Sequence, residues 1–306
     1  MSWHTVLAQL EQPPASSGLQ PLIDNIPSGL IYPLTGFACL AVTGPERFTF
    51  LQGQVTCDMR RVEQGESLLG AHLNLQGRIE ASFILLPQAD RIVILLPASQ
   101  RDHLRALLAK YILFAKADIV EDDAALPFLL WTDATEPPQD SYELVQSLGV
   151  VLAITDAQGA ESLVTEYRVG AEPEALAILH RNGLYLVEQP QRGVFLPQEL
   201  NYEQIDGVSF NKGCYKGQEV VARIHFKGQV KQRLTGFYCN AQAATDTTVV
   251  DDNGKKCGTL VHVTPLDADC IGIVLLRVSD RESRRICLEQ NDGPQLRLLP
   301  PPYAIT

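Results

Sequence analysis

No apolar run in this chain approaches the ~20 residues that a membrane-crossing helix needs, so a membrane span is not expected. Clustered cysteine is also missing. The seven cysteines stand singly, with no CxxC pair and no repeated spacing. That pattern argues against a disulfide framework and against a self-contained cysteine metal site, so no metal is expected. The opening residues, MSWHTVLAQLEQPPASSG, have neither the basic start and apolar core of a secretion signal nor the arginine content of a transit peptide. A cytoplasmic protein with reduced thiols is the expectation. Positive charge is scarce too: 25 Lys and Arg against 36 Asp and Glu give a formal charge of −11. Tight, sequence-independent nucleic-acid binding needs a broad cationic face, so direct binding of nucleic acid is not expected.

What is present is ordinary in bulk and unusual in one place. Apolar residues make up 45% and charged residues 20%, as in soluble globular proteins, and 306 residues allow two or three domains. Against the acidic background, Val208–Arg233 holds Lys212, Lys216, Arg223, Lys227, Lys231 and Arg233 with Glu219 as its single acid. A local field opposite to the average marks a docking place for something anionic. Within it, Gly213 and Gly217 bracket Cys214, Tyr215 and Lys216, and helical spacing follows in Val220, Val221 and Ile224. A cysteine just ahead of a helix, among lysines, is favoured as thiolate. The plainer alternative is a small buried hydrophobe in a wet lysine-rich surface. The six other cysteines, Cys39, Cys57, Cys239, Cys257, Cys270 and Cys287, sit in apolar or strand-like settings and read as reduced filler.

Along the chain, PPASSG reads as a flexible entry and Phe37–Val42 as a strand. Thr43 and Pro45 suggest the start of a short helix ended by Gly53. Gln54, Thr56 and Asp58 follow in a polar loop, where turn chemistry competes with function. Ser67–Leu75, Ile79–Leu86 and Arg91–Leu96 read as an antiparallel meander, and Ser99 with Asp102 as a capping box opening a helix. Leu126–Thr132 reads as a strand, Ser141–Leu148 as a helix, and Val150–Thr155 with Ser162–Arg168 as a strand pair. Glu172–Arg181 reads as a helix whose terminus accounts for His180. From Leu234 on, short strands without helices signal a small β-barrel or sandwich, with the boundary near Gly228–Arg233.

The run KGCYKGQE resembles the signature of the YgfZ family of folate-binding proteins, relatives of the glycine-cleavage T-protein. FLQGQVTCD (Phe50–Asp58), AHLNLQGRI (Ala71–Ile79), FLPQELN (Phe195–Asn201) and LPPPY near the end resemble further family motifs, so the likeness spans nearly the whole chain. The resemblance implies an α+β fold: two interleaved lobes forming an aminomethyltransferase-like folate-binding region (1–228), then a β-barrel (229–306). It implies tetrahydrofolate as cofactor, iron-sulfur client proteins such as radical tRNA-modifying enzymes as partners, and Cys214 as the working thiol. Folate contacts then fall to Phe195, Glu199 and Asn201, to Lys212, Tyr215, Lys216, Gln218 and Arg223, and to Gln54, Thr56 and Asp58. Glu199 stands where the T-protein has a pterin-contacting acid; read without the resemblance it is more simply a solvated loop acid. The T-protein's acidic pair after the hairpin glycine is here Glu80 and Ala81, which weakens the case for aminomethyl transfer. Three readings stay open: an iron-sulfur maintenance factor, a folate-dependent one-carbon transferase, and a direct tRNA-binding or scaffold protein.

Overall fold

The computed structural model describes residues 2–8, 29–131, 141–144, 150–266, 268–281 and 285–305. The PPASSG entry and residues 145–148 of the expected helix at Ser141–Leu148 lie outside them.

Three sheets carry the chain. The first is built from β1 (Leu30–Pro33), which is followed at once by β2 (Phe37–Thr43) of the second sheet. Two short helices come next, α2 (Arg47–Gln52) and α3 (Met59–Glu63), after the N-terminal α1 (Trp3–Leu7). The expected meander follows as β3 (Leu68–Leu73), β4 (Ile79–Pro87) and β5 (Arg91–Pro97). Helix α4 (Arg101–Ile112) and β6 (Asp118–Glu121) complete a sheet of order β3-β4-β5-β2-β6. The chain then returns to the first sheet with β7 (Leu126–Trp131), β8 (Ser141–Leu144) and β9 (Val150–Thr155). Helix α5 (Ala157–Glu166) leads to β10 (Arg168–Val169), and the order is β10-β1-β7-β9-β8. The whole second sheet is thus inserted in sequence between β1 and β7.

Helix α6 (Glu172–Arg181) and helix α7 (Gln218–Lys227) precede the third sheet. Its strands are β11 (Gln232–Cys239), β12 (Thr248–Val250), β13 (Lys256–Leu266), β14 (Asp269–Arg277), β15 (Cys287–Leu288) and β16 (Arg297–Leu299). All its pairings are antiparallel, in the order β15-β12-β13-β14-β11-β16. Helix α6 packs between β1 of the first sheet and β13 and β14 of the third. Its Ala175, Ala177, Ile178 and Leu179 join one continuous core with Leu30, Leu95, Val261 and Ile273. That burial fixes the three sheets relative to one another.

Four local expectations are corrected. Ser162–Arg168 is not a strand. Asp156 accepts from the Gly159 N–H at 2.9 Å and caps a helix through Glu166, so DAQG is a helix start and not a hairpin turn. Ser141–Leu144 pairs with β9 as a strand, where a helix was expected. The helix after Thr43 begins only at Arg47, and the one after Ser99 at Arg101. Neither has a side-chain cap; packing of Phe50, Leu51, Leu104 and Leu108 into one core holds them instead.

Candidate functional site

The stretches around residues 50–79 and 195–219 are far apart in sequence, and the fold brings them together: two of them meet the KGCYKGQE loop and a third joins the hairpin on which it rests. Glycine makes the closest of these approaches possible. Gly217 has φ +81°, and a Cβ there would lie 2.5 Å from the Asn74 carbonyl and 3.2 Å from Gly77 Cα. Gly77 in turn has φ +72°, and its Cβ would lie 2.9 Å from Val220 Cβ. Only glycine fits either position, so the thiol loop and the hairpin of AHLNLQGRI rest backbone against backbone.

The FLQGQVTCD stretch clamps the loop from the other side. Lys212 is buried, and its Nζ donates to the carbonyls of Val55 (2.7 Å) and Cys57 (2.6 Å), 5.2 Å from the centre of the Tyr215 ring. Burial pulls the Lys212 amine down to about 8. Thr56, fully buried, donates to Gly207 O at 2.6 Å and accepts from Ala71 N at 3.0 Å, while the Ser209 N–H donates to Thr56 O. Arg60 donates to Asn211 O at 3.3 Å. The segment before the signature joins through paired bonds: Ile79 N donates to Phe195 O, and Gly193 N to Ile79 O. The result is a braced crest. Gly213 has open space around it and Cys214 is exposed, whereas the other six cysteines are buried. Burial pushes the Cys39 and Cys57 thiols up to about 12 and Cys257 up to about 11.

Other candidates take different places. Lys212, expected as a neighbour of the sulfur or of a folate tail, points inward. Thr56 spends its hydroxyl on the fold. Asp58 caps α3 and binds Arg60 at 2.6 Å, which holds its carboxyl down near about 2. Asn201, at φ +59°, donates to Leu234 O (2.9 Å) and accepts from Arg233 (3.2 Å), tying the segment to the third sheet. Tyr215 and Phe195 are buried, and Gln218 opens α7 by donating its N–H to Tyr215 O. Glu199 is half-buried, which raises its carboxyl, and one oxygen accepts from Leu196 N at 2.8 Å. Arg223 is exposed on the outside of α7.

Gln54 and Lys216 do come together. With Asn74, Gln76 and Tyr111 they line an open hollow of about 540 Å³ on the hairpin. Beside it Glu80 accepts from Asn74 Nδ2 (3.1 Å) and lies 3.2 Å from His103 Nε2, while Ala81 turns into the core. His72 is fully buried with neither ring nitrogen bonded, and burial lowers it to about 4. A larger hollow of about 1180 Å³ runs past Arg91, Asp122 and Asp156, far in sequence from every motif. Its Arg91 and Asp122 are paired at 2.8 Å.

Sequence reasoning missed an inner cavity of about 140 Å³ under α6, lined by Phe37, Leu176, His180, Leu184, Tyr185 and Glu188. His180 is buried 4.7 Å, centre to centre, from the ring of His262 on β13, and Tyr185 stands 5.8 Å from His262. Four buried polar atoms here have no partner: His180 Nδ1, His262 Nδ1, Tyr185 OH and Gln191 Oε1. Glu188 Oε1 lies 3.4 Å from His262 Nε2 at the rim. Burial, with His262 next to it, holds His180 well below the usual histidine range, so it is neutral. Unmade hydrogen bonds in a low-dielectric space are costly, and a cluster of them beside a cavity is a ligand signature. His180 and His262 belong to different sheets' neighbourhoods, and no local pattern links them.

Among the described residues no helix is long and apolar enough to cross a membrane, and no His, Cys, Asp and Glu group could hold a metal ion. No family model matches the chain. Curated relatives do. A protein of Klebsiella pneumoniae named tRNA-modifying protein YgfZ is 27% identical, over 95% of this chain and 96% of its own. One of Escherichia coli with the same name is 28% identical, over 89% of this chain and 92% of its own. The glycine cleavage system aminomethyltransferase T of Bartonella henselae superposes with a TM-score of 0.71 at 16% identity, covering 92% of this chain and 87% of that one. The likeness first carried by KGCYKGQE therefore holds along the molecule: the chain is similar to the YgfZ proteins over nearly its whole length and shares the fold of aminomethyltransferase T.

Proposed function

We propose that the protein binds a reduced folate and uses the Cys214 thiol in the assembly or repair of iron-sulfur enzymes, supporting tRNA modification through those clients. The observation that carries this is the presentation of one sulfur. Among seven cysteines only Cys214 is exposed, on a loop that two other motif stretches brace. A surface thiol on a rigid crest can meet a protein client, which a buried thiol cannot. The name of the similar proteins, tRNA-modifying protein YgfZ, ties their role to tRNA. In this reading residues 1–228 are the folate-binding region of two interleaved lobes, and 229–306 a β-barrel unit.

The inner cavity fits a folate's flat ring. Phe37, Leu176 and Leu184 give apolar walls, the neutral His180 and Tyr185, with His262 against them, give hydrogen-bond atoms now unused, and Glu188 gives a rim carboxylate. The folate would supply a carrier of one-carbon units. Glu199 is a second acceptor, with one oxygen already on Leu196.

The test is complementation. In a strain lacking its own copy under oxidative stress, Cys214→Ala should fail to restore growth and tRNA thiomethylation while the purified variant melts as wild type. Rescue equal to wild type removes the thiol role. A second reading, a one-carbon transferase, draws on Glu80 held between Asn74 and His103. It requires turnover of an aminomethyl donor with tetrahydrofolate that Glu80→Gln abolishes.

A further inference from the structure

Net charge conceals a local exception on the outer side of α7. The helix turns Val221 into the core, rests Val220 on Gly77, and leaves Arg223, His225, Phe226 and Lys227 exposed. Residues three and four apart share a helix face, so Arg223, Phe226 and Lys227 form one stripe. Phe226 is 68% exposed. It is nevertheless held in place: its ring meets His225 edge-on at 4.7 Å, and His225 stacks on Phe210 at 3.8 Å with 14° between planes. Two rings therefore brace Phe226 from behind while its outer face meets water. Beyond the helix end lies an open groove of about 870 Å³, lined in part by His225, Lys231, Arg277 and Val278. Among the described residues no ion pair engages Arg223, Lys227 or Lys231, whereas Arg277 is held by Asp280.

We propose that this face binds a single-stranded stretch of nucleic acid, with a base stacked on Phe226, the flanking phosphates on Arg223 and Lys227, and the strand continuing past Lys231. The shape decides for a nucleobase. An aromatic ring that projects from a convex helix can stack on a flat group but offers no concavity to a peptide side chain. Cations on both sides of the ring suit the alternation of base and phosphate along one strand. A positive stripe on a molecule of charge −11 also orients an incoming polyanion toward itself, so the global balance sets overall affinity without forbidding a local site. Stacking is indifferent to base identity, so sequence preference is weak. The binding needs no participation of Cys214, and it stands or falls separately from the thiol reading.

The experiment is fluorescence anisotropy with a labelled single strand of about a dozen nucleotides, as RNA and as DNA, beside a duplex of equal length. The single strand should bind more tightly than the duplex, and the RNA and DNA arms identify which source is preferred. Phe226→Ala should weaken binding roughly tenfold. Because Phe226 is exposed, the variant should melt with wild type. Combined Arg223→Ala and Lys227→Ala should flatten the slope of log affinity against log salt by about 1.4, two phosphate contacts' worth. Cys214→Ser should bind as wild type. The proposal is overturned if no salt-dependent binding occurs, if Phe226→Ala is indistinguishable from wild type, or if polyglutamate displaces the strand as well as unlabelled RNA does. The last result would mark a docking face for an acidic protein.

Discussion

The thiol crest and the inner cavity are built on opposite principles. At the crest most polar groups near Cys214 are committed, Lys212 to two carbonyls, Thr56 to Gly207 and Ala71, Arg60 to Asp58 and Asn211, with the buried Tyr215 hydroxyl as the exception. At the cavity His180 and Tyr185, and His262 against them, each keep a buried atom uncommitted. Saturated hydrogen bonding makes a rigid mount; unsatisfied groups beside a void await a partner. The contrast assigns presentation to one region and reception to the other, and it can be broken from either side.

The largest effect is expected at the crest. Gly217→Ala forces a Cβ to 2.5 Å from the Asn74 carbonyl at a positive φ, and should destabilise the fold by at least about 3 kcal/mol. Urea unfolding measures the loss, and a variant as stable as wild type would contradict the close packing of the two loops. Lys212→Met strands the carbonyls of Val55 and Cys57 and should cost about 2 kcal/mol while speeding thiol labelling at Cys214. Unchanged labelling would show that the anchor does not hold the crest.

Acid comes next. Folded His72 binds its proton only near about 4, whereas the unfolded chain binds it near the ordinary 6.5, so the unfolded state gains protons first as pH falls. Stability should therefore be full above 6.5 and decline toward about 4, by roughly 2 kcal/mol at pH 5, with buried His180 acting in the same direction. His72→Gln should remove part of the slope in urea midpoints. The cavity supplies the smallest stability change: Tyr185→Phe deletes an unpartnered hydroxyl and should leave the melting point level or slightly higher. The same variant should weaken binding of 5-formyltetrahydrofolate by calorimetry. Equal affinity would move the ring's seat away from Tyr185.

The crest was largely legible in the sequence and the cavity was not. Glycines bracketing a cysteine announce a loop under backbone constraint, and alternating apolar runs located β2 to β5 and most strands of the third sheet. Lys212 reads as a surface cation because nothing local reveals two carbonyls waiting 155 and 157 residues earlier in the chain. His180 does close a helix, as its place suggests, yet its environment is set by His262 across a sheet boundary. Ser162–Arg168 reads as extended because SLVTEY is rich in strand formers; Asp156 capping and burial of Ala160 and Leu163 override that preference.

One consequence concerns the order of events as the molecule matures. The bond from Thr56 to the Gly207 carbonyl spans 151 positions, so half the chain must be in hand before the mount for Cys214 can close. A copy clipped between residues 57 and 207 can lose the N-terminal half of the clamp and carry the same cysteine without the brace that holds it up. The displayed sulfur thus doubles as a certificate of completed assembly, issued only after both halves of the clamp have found each other.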